Sequence, residues 1–122
     1  MKLITHNMLA CHIKGVKNGY PFKIEAKKVE EREAEFNPEF LRHIWPRLEW
    51  KALKEAAETL GQIGLPESVA EEMLQDEEFL RQLHHVLLEV HLEEGSLVCP
   101  ETGRKFSVVQ GIPNLLLNED EC

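Results

Sequence analysis

Ser96-Leu97-Val98-Cys99-Pro100-Glu101-Thr102-Gly103-Arg104-Lys105-Phe106 runs from an apolar stretch through a Cys-Pro turn and a glycine into a second apolar stretch. This is the frame of a Cys-x-x-Cys-Gly metal knuckle, but Thr102 stands where the second thiolate belongs. Val98 and Phe106 flank the turn, so the stretch predicts a β-hairpin whether or not a metal is held there. Upstream, Leu92 and Leu97 flank Glu94-Gly95, which predicts another hairpin just before it. Downstream, Ile112-Pro113-Asn114-Leu115-Leu116-Leu117 reads as a last strand, apolar on both faces, with Pro113 confining its start to a sheet edge.

The amino-terminal thirty residues also carry strand texture. KLI and the alternating YPFKIEAKKV enclose a short THNMLAC turn or helix. The centre is helical. Asn37 is placed to cap a helix opened by Pro38, with Phe36 stapling onto Leu41; Phe40, Leu41, Ile44 and Trp45 share a face until Pro46 intervenes. Trp50, Leu53, Ala57 and Leu60 repeat at helical spacing and stop at Gly61. Pro66 is expected to open a short helix toward Met73. Asp76 caps another through Leu80, Leu83, Leu87 and Val90. The expected fold class is α+β: a zinc-ribbon-like antiparallel sheet from residues 1–35 and 88–122, with a helical domain, 36–87, inserted in it.

A chain of 122 residues is sized for one domain. Its 14 Lys+Arg against 22 Asp+Glu leave a net charge of -8, and the basic residues are unclustered, so direct nucleic-acid binding is not expected. The start, MKLITHNMLACHI, is too short and too polar for a signal-peptide core, and no run reaches the roughly 18 apolar residues of a membrane span. Three scattered cysteines, Cys11, Cys99 and Cys122, make no disulfide framework and suit a reducing compartment.

Candidate chemistry is thin. Cys11 and Cys99 supply two thiols where a structural zinc needs four ligands; His12 points away from adjacent Cys11 on an extended chain, and His84 and His85 diverge from one another on a helix, so no metal site is assigned. Cys11 beside His6 or His12, and Cys99 beside Glu101, lack a demonstrable activating cation, so no catalytic residue is assigned. Glu93-Glu94 reads as a solvated turn pair. KGVKNGYP lacks phosphate-binding glycine spacing and no cofactor-binding residue is assigned. The acidic runs, including the tail 118–122, read as solvated faces and a frayed end. The apolar excess of IPNLLL leaves two readings: cover by the chain's own helices, or strand addition to a partner.

MKLITHNMLACHIKGV, EFNPEFLRHIWPRLEWKAL, HHVLLEVHLEEGSLVCPETGRKF and GIPNLLL together resemble the small activator subunit shared by several methyltransferases of eukaryotes and archaea. The resemblance covers nearly the whole chain. It implies a non-catalytic protein that forms heterodimers with class I methyltransferase catalytic subunits modifying tRNA, ribosomal RNA or a translation termination factor. S-adenosylmethionine would be bound by the partner, and the complex would work in cytoplasm and nucleus. The residues it would turn toward the partner are Ile112, Pro113, Asn114, Leu115, Leu116 and Leu117, together with Thr5, His6 and Asn7. Zinc-binding members carry two cysteine pairs; this chain matches one of each, with Val16 or a nearby loop residue and Thr102 at the other positions. The competing reading is a stand-alone zinc-ribbon-type nucleic-acid-binding module.

Overall fold

Asn37 accepts from the amide of Phe40 at 3.1 Å and Pro38 occupies the first turn, so helix α2, Pro38–Ile44, begins where the sequence places it. Pro46 tightens its end into a single 3-10 turn, Trp45–Arg47. These contacts belong to a computed structural model that describes residues 1–117; the tail read at 118–122, with Cys122, lies outside the described residues. The other elements are α1 Leu3–Met8, β1 Lys23–Glu31, α3 Trp50–Thr59, α4 Glu77–His84, β2 Val90–Val98, β3 Lys105–Val109 and β4 Ile112–Pro113. Among the described residues the strands form one antiparallel sheet in the order β1-β2-β3-β4, giving an α+β fold.

The helices and the inner face of the sheet share one core. Leu41, Leu53, Leu80, Leu83 and Leu87 meet Leu3, Leu92, Leu97, Phe106 and Val108 in a continuous cluster. The rings of Trp45, Trp50 and Phe79 lie 5.7–6.4 Å apart between α2, α3 and α4. Asp76 caps α4 by accepting from Glu78 at 3.0 Å, and α3 closes through Gly61, whose φ of +87° suits a residue without a Cβ. Phe36 packs its ring edge-on to His84 at 5.5 Å, under the Arg81 guanidinium.

Several local expectations give way. Lys2 makes an isolated antiparallel bridge to His91 and the chain then turns directly into α1, so Leu3 and Ile4 are helix and not strand. Buried Leu3, His6 and Asn7 form the inner side of that helix, which six residues were too few to reveal as a period. Residues 66–70 form no helix and bend at Glu67 and Ser68, and the turn that follows is 3-10, Glu71–Gln75, not a helix opened by Pro66. After α4 the helix widens into a π turn, His85–Glu89, before β2.

The most consequential difference is at Glu94-Gly95. There is no hairpin here: β2 runs unbroken for 9 residues. Gly95 faces Ala26 of β1 beside a bulge, and a Cβ on it would sit 2.1 Å from the carbonyl oxygen of Glu25. The glycine permits close approach of two backbones and does not turn the chain. Glu93, expected at a solvated turn, is instead buried in β2 and pairs with Arg32 at 2.8 Å.

Candidate partner interface

The end of the sheet is shaped by two left-handed residues. Gln110 (φ +51°) and Gly111 (φ +76°) join β3 to β4 in a two-residue turn of the type that matches strand twist, placing Ile112 opposite Val109. β4 is only two residues long, although Asn114 still donates its amide to Ser107 at 2.9 Å. The strand expected over 112–117 therefore ends early. Beyond Asn114, Leu115 and Leu117 are half-buried against the core, while Leu116 points out. Asn114 turns the chain by accepting from the Leu116 amide at 3.1 Å.

This leaves Val109, Ile112 and Leu116 at 58%, 69% and 79% exposure on the outer side of β3 and the segment after it. The two edges of the sheet differ sharply. β1 carries Lys23, Glu25, Lys27, Lys28, Glu30 and Glu31, a bulge, and ion pairs such as Lys28 to Glu30 at 3.2 Å, which discourage a further strand. β4 offers backbone without charge beside exposed aliphatic side chains. Val109 was outside the sequence-derived candidates, because a lone valine in an alternating strand has no signature of its own.

The amino-terminal candidates separate. Thr5 is exposed, but His6 and Asn7 are buried. The Nε2–H of His6 donates to the Phe22 carbonyl at 2.7 Å, which makes Nδ1 an acceptor. Burial holds its imidazole below the usual value, partly countered by that same bond. Asn7 serves as a bracket. Its Nδ2 donates to the Glu49 carbonyl and its Oδ1 accepts from the Glu49 amide, each at 3.0 Å, while Tyr20 donates its hydroxyl to the Asn7 carbonyl at 2.8 Å. Asn7 thus secures the start of α3, whose leading residue has no side-chain cap of its own.

Cys11 and Cys99 do meet. They are 7% and 1% exposed, and their thiols hydrogen-bond to one another. Burial pushes the Cys99 thiol up, but the Thr102 hydroxyl and amide, Cys11 and the Glu101 amide outweigh it and leave it below the usual thiol range. Glu101 reaches across, accepting from the amides of Lys17 and Asn18 at 3.3–3.4 Å. Two thiols beside a threonine and the half-buried Val16 do not fit a tetrahedral structural zinc. Among the described residues no group of three or more His, Cys, Asp or Glu is arranged to hold a metal. His84 and His85 are turned instead toward Glu89, His85 Nδ1 donating at 2.9 Å. That carboxylate also accepts from the Ala34 amide at 2.9 Å, and these bonds hold it below the usual carboxylate range.

The family model described as Trm112p-like protein matches residues 2–111. This chain belongs to the Trm112p-like family. Its match takes in α1, the whole sheet core and the turn before β4. Among relatives, the multifunctional methyltransferase subunit TRM112 homolog A of Arabidopsis thaliana is 60% identical, with 99% of each chain covered. The TRM112-like subunit of Mus musculus is 49% identical, covering 99% of this chain and 98% of its own, and Saccharomyces cerevisiae TRM112 is 35% identical over 96% of each. A chain of the solved E. cuniculi Mtq2-Trm112 complex, responsible for methylation of the eRF1 translation termination factor, shares the Trm112p-like fold. It superposes with a TM-score of 0.60 at 18% identity over 95% of both chains.

Proposed function

We propose that this chain is a non-catalytic activating subunit that forms heterodimers with class I, S-adenosylmethionine-dependent methyltransferases acting on tRNA, ribosomal RNA and a translation termination factor. The observation that carries the reading is the asymmetry of the sheet: a charged β1 edge and an uncharged β4 edge flanked by exposed Val109, Ile112 and Leu116. A partner strand added along Ile112–Asn114 would gain backbone hydrogen bonds and cover those side chains. Relatives across the chain's full length are named methyltransferase subunits, and the same fold occurs in the Mtq2-Trm112 complex.

The mechanism is linkage, not chemistry. A subunit that binds only the folded partner, present at a hundred times its Kd, stabilises that partner by about 2.7 kcal/mol. An interface of roughly 1,600 Å² in total is sufficient. The cofactor stays on the methyltransferase, and the complex works in cytoplasm and nucleus, where tRNA and ribosomal RNA are modified. Purified catalytic subunit, alone and with this chain, tests it: methyl transfer and solubility should depend on the pair. Turnover by this chain by itself would overturn the non-catalytic reading.

A further inference from the structure

The turn that carries Cys99 and the loop that carries Cys11 face each other, and their thiols are in contact. Cys11 is fixed by its amide bond to the Gly19 carbonyl at 2.8 Å, with Gly19 so close that a Cβ there would lie 3.0 Å from the Cys11 Cβ. Cys99 is fixed by its amide bond to the Arg104 carbonyl and by the Gly103 amide, both at 2.9 Å. Glu101 ties one turn to the amides of the other, and Phe22 packs edge-on against Phe106 at 5.7 Å beside them. The two sulfurs, far apart in the chain, are thus presented to each other by hydrogen-bonded backbone on both sides.

We propose that Cys11 and Cys99 form a reversible intramolecular disulfide on exposure to hydrogen peroxide, locking the two turns together. The Cys99 thiolate attacks one peroxide oxygen, the O–O bond breaks, and the departing oxygen leaves as water with the proton shed by the thiol. The resulting sulfenic acid is attacked by the Cys11 sulfur; the S–S bond forms, the S–O bond breaks, and a second water carries away the Cys11 proton. Two thiols lose two electrons and one peroxide gains them. Thr102 has a defined part: its hydroxyl, hydrogen-bonded to Cys99, favours the thiolate that starts the reaction.

The full chain with Cys122→Ser, which removes the third thiol, is treated with hydrogen peroxide while folded and then alkylated. The expected result is a mass lower by about 2 Da, simultaneous loss of both alkylation sites, and a tryptic peptide joining Cys11 to Cys99 that dithiothreitol reverses. In a second variant that also carries Thr102→Val, bond formation should be slower while the fold is kept. Two alkylatable thiols after peroxide, a sulfinic acid at either position without the linked peptide, or only linkage between separate chains would overturn the proposal.

Discussion

Asn7→Ala removes both hydrogen bonds to Glu49, each 3.0 Å long and partly buried. A net contribution of about 0.5–1.5 kcal/mol per bond, with part of the desolvation cost of the Glu49 amide and carbonyl left unmatched, gives a loss of about 2–3 kcal/mol. For a domain of this length that corresponds to a fall in Tm of about 6–12 °C. Asn7→Asp is the sharper control. It keeps an acceptor for the Glu49 amide but sets a carboxylate oxygen against the Glu49 carbonyl, so it should destabilise at least as much despite identical shape. Thermal melts of the isolated chain, followed by circular dichroism at matched concentration, provide the assay. A Tm unchanged in Asn7→Ala, together with lost methyltransferase binding, would refute the bracket and return Asn7 to the surface.

Gly95→Ala forces a Cβ to within 2.1 Å of the Glu25 carbonyl oxygen, a contact between backbones that no rotamer change relieves. Urea unfolding should show a loss of about 3 kcal/mol or more, at the upper end for overpacking, and a fully stable variant would mean that β1 and β2 are further apart. Stability should also fall as the pH drops below 6.5, because burial depresses both His6 and His91 beneath that ordinary value. The unfolded chain then binds protons that the folded one refuses, so this stability is complete above 6.5 and is lost as the pH falls toward the folded-state values. Urea midpoints across that window should shift, and His6→Gln, which keeps a donor for Phe22, should reduce the slope; an unchanged slope would show that His6 is not the sensor.

What could be read beforehand was local. Asn37-Pro38, Gly61 and Asp76 mark helix ends through bonds that close within a few residues, and Cys99 to Gly103 makes its turn in the same way. What could not be read depended on distant neighbours. Gly95 looks like a turn residue until the Glu25 backbone is beside it, and Asn7 looks like a surface polar residue until Glu49 is in place. The three leucines of 115–117 carry one hydrophobicity but two fates, since Leu115 and Leu117 pack inward where the chain leaves the sheet and only Leu116 stays out. The Cys11–Cys99 meeting followed from the expectation that both termini enter one sheet. Glu101 stood out only as a neighbour of Cys99; that its exposed carboxylate reaches the amides of Lys17 and Asn18 had no signal in a chain so rich in acids.

The affinity of the double variant Ile112→Asp/Leu116→Asp for a methyltransferase catalytic subunit, measured by calorimetry on proteins first checked for an unchanged melt, tests the β4 edge most directly. Both side chains are exposed in the isolated chain, so its stability should move by no more than about 0.5–1 kcal/mol. Loss of the burial each would gain in the complex, about 1.5–3 kcal/mol per side chain, should weaken binding by at least about a hundredfold. A folded double variant that binds its methyltransferase as tightly as the parent chain would contradict the β4 edge as the working surface.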